Sequence, residues 1–320
     1  MRAVQGKFSY IATMKPSINL LYTVLILLFF SVSCKKDKEE VTFTGNKIPE
    51  YNQIPRLLIE NYVNRLFIDL IGREPTDAEM IAEVDAMRAT NASVESRTAL
   101  VNKIMTSTAP LPGDGSYREA YVRKFYEDQK GRFLEGASDA TLNDDYNLWK
   151  LLAYQDSLNG NMLGYQLFTL EANKVLAVID SREELMNGEI LFEEMCSRMM
   201  FNSLYDEINM NTFNFINASF DDCFARFPTQ SEYEGVEDAI EFNGAGVLFG
   251  NAVNSKTEYL NVLVQSNEFD EGFVRWAYFA FLAREATSTE VFSRVQIYRQ
   301  GSNYSGVQKE ILISDEYAGF

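Results

Sequence analysis

The side chains best placed to do chemistry in this chain are carboxylates and thiols. Glu189 and Glu193 are four residues apart, which puts both acids on one side of a helix. Such a pair can hold a metal or share acid–base work, although a solvated helix face is the plainer reading. Asp221 and Asp222 precede Cys223, a grouping that resembles a site until the register of the surrounding repeat is applied. "DSLNGN" (Asp156 to Asn161) departs from a calcium-binding loop at the third ligand position. The glycine-rich "NGAGVLFGN" (Asn243 to Asn251) lacks the spacing of a phosphate cradle. Cys196 and Cys223 leave a disulfide open outside the cytoplasm.

The chain contains no histidine. This removes Ser-His-Asp and Cys-His catalysis, histidine-ligated zinc and haem attachment through CxxCH. Carboxylates, tyrosine and lysine remain for acid–base chemistry. No cofactor and no metal are expected. A formal charge of −17 over 320 residues repels phosphate backbones, so nucleic acid is not an expected partner. Hydrophobic content of 46% supports a packed core.

The elements that must position these groups come from an internal repeat. Tyr62–Met80 aligns with Phe215–Tyr233 through seven identities: Asn64/Asn217, Phe67/Phe220, Asp69/Asp222, Arg73/Arg226, Pro75/Pro228, Thr76/Thr229 and Glu79/Glu232. A third copy, Phe273–Val291, keeps Arg284, Thr287 and Glu290, and a fainter fourth covers Tyr121–Phe133. Val63, Leu66, Phe67, Leu70 and Ile71 make one apolar helical stripe. Gly72 suits the left-handed residue that ends a helix, Pro75 blocks continuation, and Thr76 with Glu79 forms a capping box for the next helix. Arg73, Arg226 and Arg284 stand at the corner, where a cation suits the carbonyl end of the closing helix. In this register Cys223 falls with Leu70 and Phe281, as a core-facing residue.

The second halves of the copies also agree. "SRTALVNKIMTS" (Ser96 to Ser107) aligns with "SKTEYLNVLVQS" (Ser255 to Ser266), and "SNEF" with "SDEY". Each unit therefore reads as a helical pair, and stacking buries the pairs' apolar faces. The expected fold is all-α: stacked helix–corner–helix units at 57–136 and 211–320 around a central helical segment, 137–210. Within that segment "NDDYNLWKLLAYQDSL" (Asn143 to Leu158) reads as a helix with a strong apolar stripe. Ser181 with Glu184 reads as a capping box opening a helix that Gly188 interrupts.

The first 56 residues read as an address. "MKPSINLLYTVLILLFFSVSCKKDKEE" (Met14 to Glu40) has a basic start, an apolar run from Ile18 to Phe30, and small residues before Cys34. The run suits a signal peptide better than a membrane span, with Met1 or Met14 as start. Ser31-Val32-Ser33-Cys34 resembles a bacterial lipobox of the looser kind found in Bacteroidota-type lipoproteins. The resemblance implies a leader over 1–33, lipid on Cys34, a tether over 34–56 and an outer-membrane location, at the cell surface or the periplasmic face.

"NRLFIDLIGREPTDAE" is similar to the start of a domain of unknown function in planctomycete surface and cytochrome-type proteins. The units ending "SNEF" and "SDEY" resemble a second uncharacterised family of bacterial extracellular helical repeats, itself similar to phycobilisome linker domains. These resemblances imply fold and assembly, with no activity attached. The expectation is a lipid-anchored, non-catalytic envelope module that meets the membrane through its anchor and other envelope proteins through its unshared parts, 137–210, 81–95 and 234–254. The alternatives are a carboxylate-based glycan-active enzyme and a carbohydrate-binding surface lipoprotein.

Overall fold

Three Thr-x-x-Glu sequences start three helices, at Asp77, Gln230 and Ser288. The computed structural model describes residues 53–301 and 303–320. Cys34, the leader and most of the tether lie outside the described residues. The protein is all-α, and its only strands among the described residues form two small antiparallel hairpins.

The first copy comprises α1 (Arg56–Ile71), α2 (Asp77–Ala89) and α3 (Val94–Thr106), followed by the hairpin β1–β2 (Pro110–Leu111, Gly115–Ser116) and α4 (Tyr117–Phe133). The central segment holds α5 (Asp139–Leu158), α6 (Met162–Asn187), α7 (Phe192–Met200) and α8 (Ser203–Asn209). The second copy is α9 (Thr212–Phe224), α10 (Gln230–Phe242), hairpin β3–β4 (Gly246–Leu248, Asn251–Val253) and α11 (Lys256–Val264). The third is α12 (Asn267–Leu282), α13 (Ser288–Tyr298) and α14 (Tyr304–Leu312), with a last turn α15 (Asp315–Ala318).

Each unit is thus three helices, not a pair. The extra break in the first copy falls at Asn91 and Ala92, both left-handed, after which Ser93 caps α3. In the second copy "NGAGVLFGN" makes that break as a β-hairpin. The hairpin lies tight against α10: a Cβ on Gly246 would strike the Gly235 carbonyl oxygen, and one on Gly235 would strike that of Val247.

One further expectation is corrected, and the open disulfide is decided. Ser181 does not open a helix: it lies inside α6, buried, with its hydroxyl donating to the Ala177 carbonyl at 2.6 Å. Asn161 starts that helix instead, accepting from the Gly164 N–H, while Asp156 accepts from the Asn161 side chain. Cys196 and Cys223 are both free and buried. Cys223 packs against the Met200 sulfur at 3.7 Å, and burial pushes its thiol well above the ordinary range.

One hydrophobic cluster runs through all three copies and the central segment. Its aromatic centre joins α4, α7, α12 and α14: Phe125 stacks on Tyr304 at 4.4 Å between ring centres, and Phe192 lies 5.0 Å from Phe273. The segment 304–320 covers α1. Tyr317 meets Tyr62 edge-on and donates to Asp69 at 2.7 Å, while Tyr62 donates to the Leu312 carbonyl.

Candidate functional site

The three corners share one set of bonds. Thr76, Thr229 and Thr287 cap their helices, each accepting from the N–H of the glutamate three residues on at 3.3 Å. Glu79, Glu232 and Glu290 return a carboxylate oxygen to the threonine N–H at 2.7 Å. Each arginine then clamps its glutamate with both terminal nitrogens: 2.8 and 2.8 Å for Arg73, 2.9 and 2.8 Å for Arg226, 3.0 and 2.7 Å for Arg284. A planar guanidinium matches a carboxylate in this bidentate way, so the arginines lock the capping boxes.

A second acid, not singled out in the sequence, completes each corner. Asp114 takes the Arg73 Nε at 2.6 Å, Glu316 takes that of Arg284 at 2.6 Å, and Glu268 takes that of Arg226. Glu268 and Glu316 are the glutamates of "SNEF" and "SDEY", so the shared Ser-x-Glu-aromatic ending was their signal. In the first copy the β1–β2 hairpin brings Asp114 to the same place. Burial works against ionising Glu79, but Arg73 and Thr76 outweigh it and hold the acid at about 2. Arg226 and Arg284 hold Glu232 and Glu290 at about 2 as well. Acids this strongly bound by their own chain are spent on structure.

Glu189 and Glu193 do not share a helix. Gly188 ends α6 in the left-handed conformation, and α7 begins only at Phe192. Both acids border a shallow cleft, where Glu193 accepts from the Tyr298 hydroxyl at 2.7 Å and Glu189 from Asn187 at 3.2 Å. Among the described residues no three His, Cys, Asp or Glu side chains are grouped to hold a metal ion.

Asp222 lies in an open cleft of about 560 Å³ between α9 and α12, with Arg132, Glu268, Glu271, Trp276 and Phe279. Tyr205 donates to it at 2.8 Å. Burial pushes its carboxyl up to about 7, against the pull of Tyr205 and Arg132. Both oxygens of Glu268 are engaged by Arg226, and Glu271 lies 3.5 Å from Arg275. The cleft therefore holds one acid poised near neutrality, with Asp221 and Glu285 also on its lining.

The central segment differs from the copies in what it leaves uncovered. α5 and α6 form an antiparallel hairpin fixed at its base, where Trp149 donates to the Ser203 hydroxyl at 2.9 Å and Ser203 to Asp145 at 2.6 Å. Lys130, itself buried, pairs with Asp139 at 2.7 Å. Beyond that base, no residue from Tyr154 to Glu171 is buried. Leu148, Leu151, Tyr154 and Leu158 of α5, with Met162, Leu163, Leu167 and Leu170 of α6, are each more than half exposed. The apolar stripe read from Asn143–Leu158 is thus split, with Ala153 buried and Leu148, Leu151 and Leu158 exposed.

Fold and surface together define an all-α repeat protein with an apolar hairpin set on its central segment. Comparison with protein-family models, curated proteins and solved structures finds no match for this chain. No helix among the described residues is long and apolar enough to cross a membrane.

Proposed function

We propose that the protein is a non-catalytic assembly module of a bacterial outer envelope, lipid-anchored at Cys34, whose contact element is the α5–α6 hairpin. The observation that carries the reading is the contrast between shared and unshared parts. The shared corner residues are consumed in caps and clamps, whereas the unshared hairpin presents a row of large apolar side chains to solvent. Exposed apolar surface of this extent marks an interaction site. The address rests on the lipobox-like Ser31–Cys34, and the module class on the resemblance to extracellular and linker-type helical repeats.

The test is crosslinking from the hairpin in native cells, paired with fatty-acid labelling. A Leu163→Cys chain should form an adduct with an envelope protein, its own kind or another, and Cys34→Ser should lose the label and leave the membrane fraction. A hairpin that forms no adduct, or a Cys34→Ser chain that stays with membranes, defeats the reading.

The glycan-active alternative keeps one observation, the near-neutral Asp222 in its cleft. Turnover of a glycan panel that is lost in Asp222→Asn would put that enzyme in place of the assembly module.

A further inference from the structure

We infer that the occupant of the α5–α6 hairpin is the same hairpin of a second copy, the two pairing into a four-helix bundle. This deepens the assembly reading and rests on it.

Spacing is the first argument. Leu148, Leu151, Gln155 and Leu158 are separated by three, four and three residues, and all four are exposed. Leu163, Leu167 and Leu170 are separated by four and three, and are exposed as well. This alternation is the heptad seam by which one helix receives another, knobs into holes. Both helices of one hairpin carry it, so a twofold-related copy supplies a matching pair of seams, each residue meeting its counterpart across the axis. Gln155, the polar residue in the α5 seam, can bond its own copy and fix the register.

Size is the second. Leu148, Leu151, Tyr154, Leu158, Met162, Leu163, Leu167 and Leu170 are each 51–68% exposed. At on the order of 100 Å² of apolar surface for each, they offer roughly 800 Å² per copy. A stable interface takes about that much from each partner.

Charge is the third, and it separates a copy from a bilayer. The chain carries −17, yet from Tyr146 to Leu170 only Lys150 and Asp156 are charged. Two such stretches meet without repulsion, while the acidic remainder stays apart in solvent that screens it. A helix that settles on a lipid surface instead lines its polar face with Lys and Arg, and Lys150 is the single cation here.

The test uses the full chain in cells expressing two differently tagged copies, each with Leu163→Cys, treated with a short bismaleimide. Cys196 and Cys223 are buried, and the parent chain controls for Cys34. The expected result is an adduct carrying both tags that is absent from the parent and falls at least tenfold when Leu151→Glu and Leu167→Glu are added. The variant should keep the parent's helical circular-dichroism spectrum, because both leucines are exposed in the single chain. Adducts of the introduced thiol with another envelope protein alone would overturn the inference and leave the assembly reading standing. No adduct of any kind would defeat both. Protection of the introduced thiol from an aqueous maleimide by phosphatidylcholine vesicles, without a two-tag adduct, would assign the hairpin to lipid and overturn the inference.

Discussion

The backbone of Gly272 in α12 lies directly against the carbonyl oxygen of Cys223 in α9, so near that a Cβ at Gly272 would overlap it. The first helices of two successive copies cross at this point, and only a hydrogen fits between them. Gly272→Ala should therefore cost about 1–3 kcal/mol by forcing the helices apart. Gly131 in α4 has nothing near its missing side chain. Gly131→Ala should gain about 0.5–1 kcal/mol, as a helix-interior glycine removed without strain. Urea midpoints of the two variants should move in opposite directions.

At the corners, the closing residue is Gly72 in the first copy but Ala225 and Ala283 in the others, at φ of 56° and 53°. An L-residue is strained in that conformation and glycine is not. Ala225→Gly and Ala283→Gly should each raise stability by up to about 1 kcal/mol. Gly72→Ala should lower it by a similar amount, with Lys124 also in the way. Calorimetry on the three variants checks both signs.

Thr229→Ala removes a cap and should cost about 1 kcal/mol. The corner glutamates add a dependence on acid. Their folded values lie at about 2 against an ordinary 4.5, so their contribution is complete above about pH 4.5 and drains away as pH falls toward 2. Glu232→Gln should lose stability at pH 6 and show a shallower further decline between about pH 4.5 and 2.5 than the parent. Equal slopes in the two proteins would count against the clamp.

Asp222 has the opposite sign. Its carboxyl is raised from 3.8 to about 7 by burial, so the folded state binds the extra proton and stability falls as pH rises through that interval. Asp222→Asn keeps an acceptor for Tyr205 and has nothing to ionise. The variant's melting temperature should exceed the parent's by more at about pH 8 than at about pH 5.

The all-α class and the corners are legible in the sequence because the chemistry behind them is local. Thr76 reaches Glu79 within one turn, and a stripe such as Val63–Leu66–Leu70 encodes a helix without reference to anything distant. Ser181 and Glu184 have the same spacing yet make no cap, because the chain before Ser181 is already helical and the Ala177 carbonyl takes the hydroxyl. Local pattern cannot distinguish those cases. The second acids were harder still: Asp114 arrives from a hairpin peculiar to the first copy, 41 residues after Arg73. The exposure of the α5–α6 hairpin was out of reach for another reason. Periodicity shows that Leu148, Leu151 and Leu158 form a stripe, but whether anything covers it depends on where Trp149 and Ser203 pin the base.

The cover that 304–320 places over α1 bears on the order of events in synthesis. Tyr62 and Asp69 leave the ribosome some 250 residues ahead of Leu312 and Tyr317, their eventual partners. Closing so distant a contact carries a loop-entropy cost that short-range corners do not. The corners can form as they emerge, but α1 must wait with one apolar flank bare. Until residues 304–320 arrive, the nascent chain is the species most in need of a chaperone's shelter.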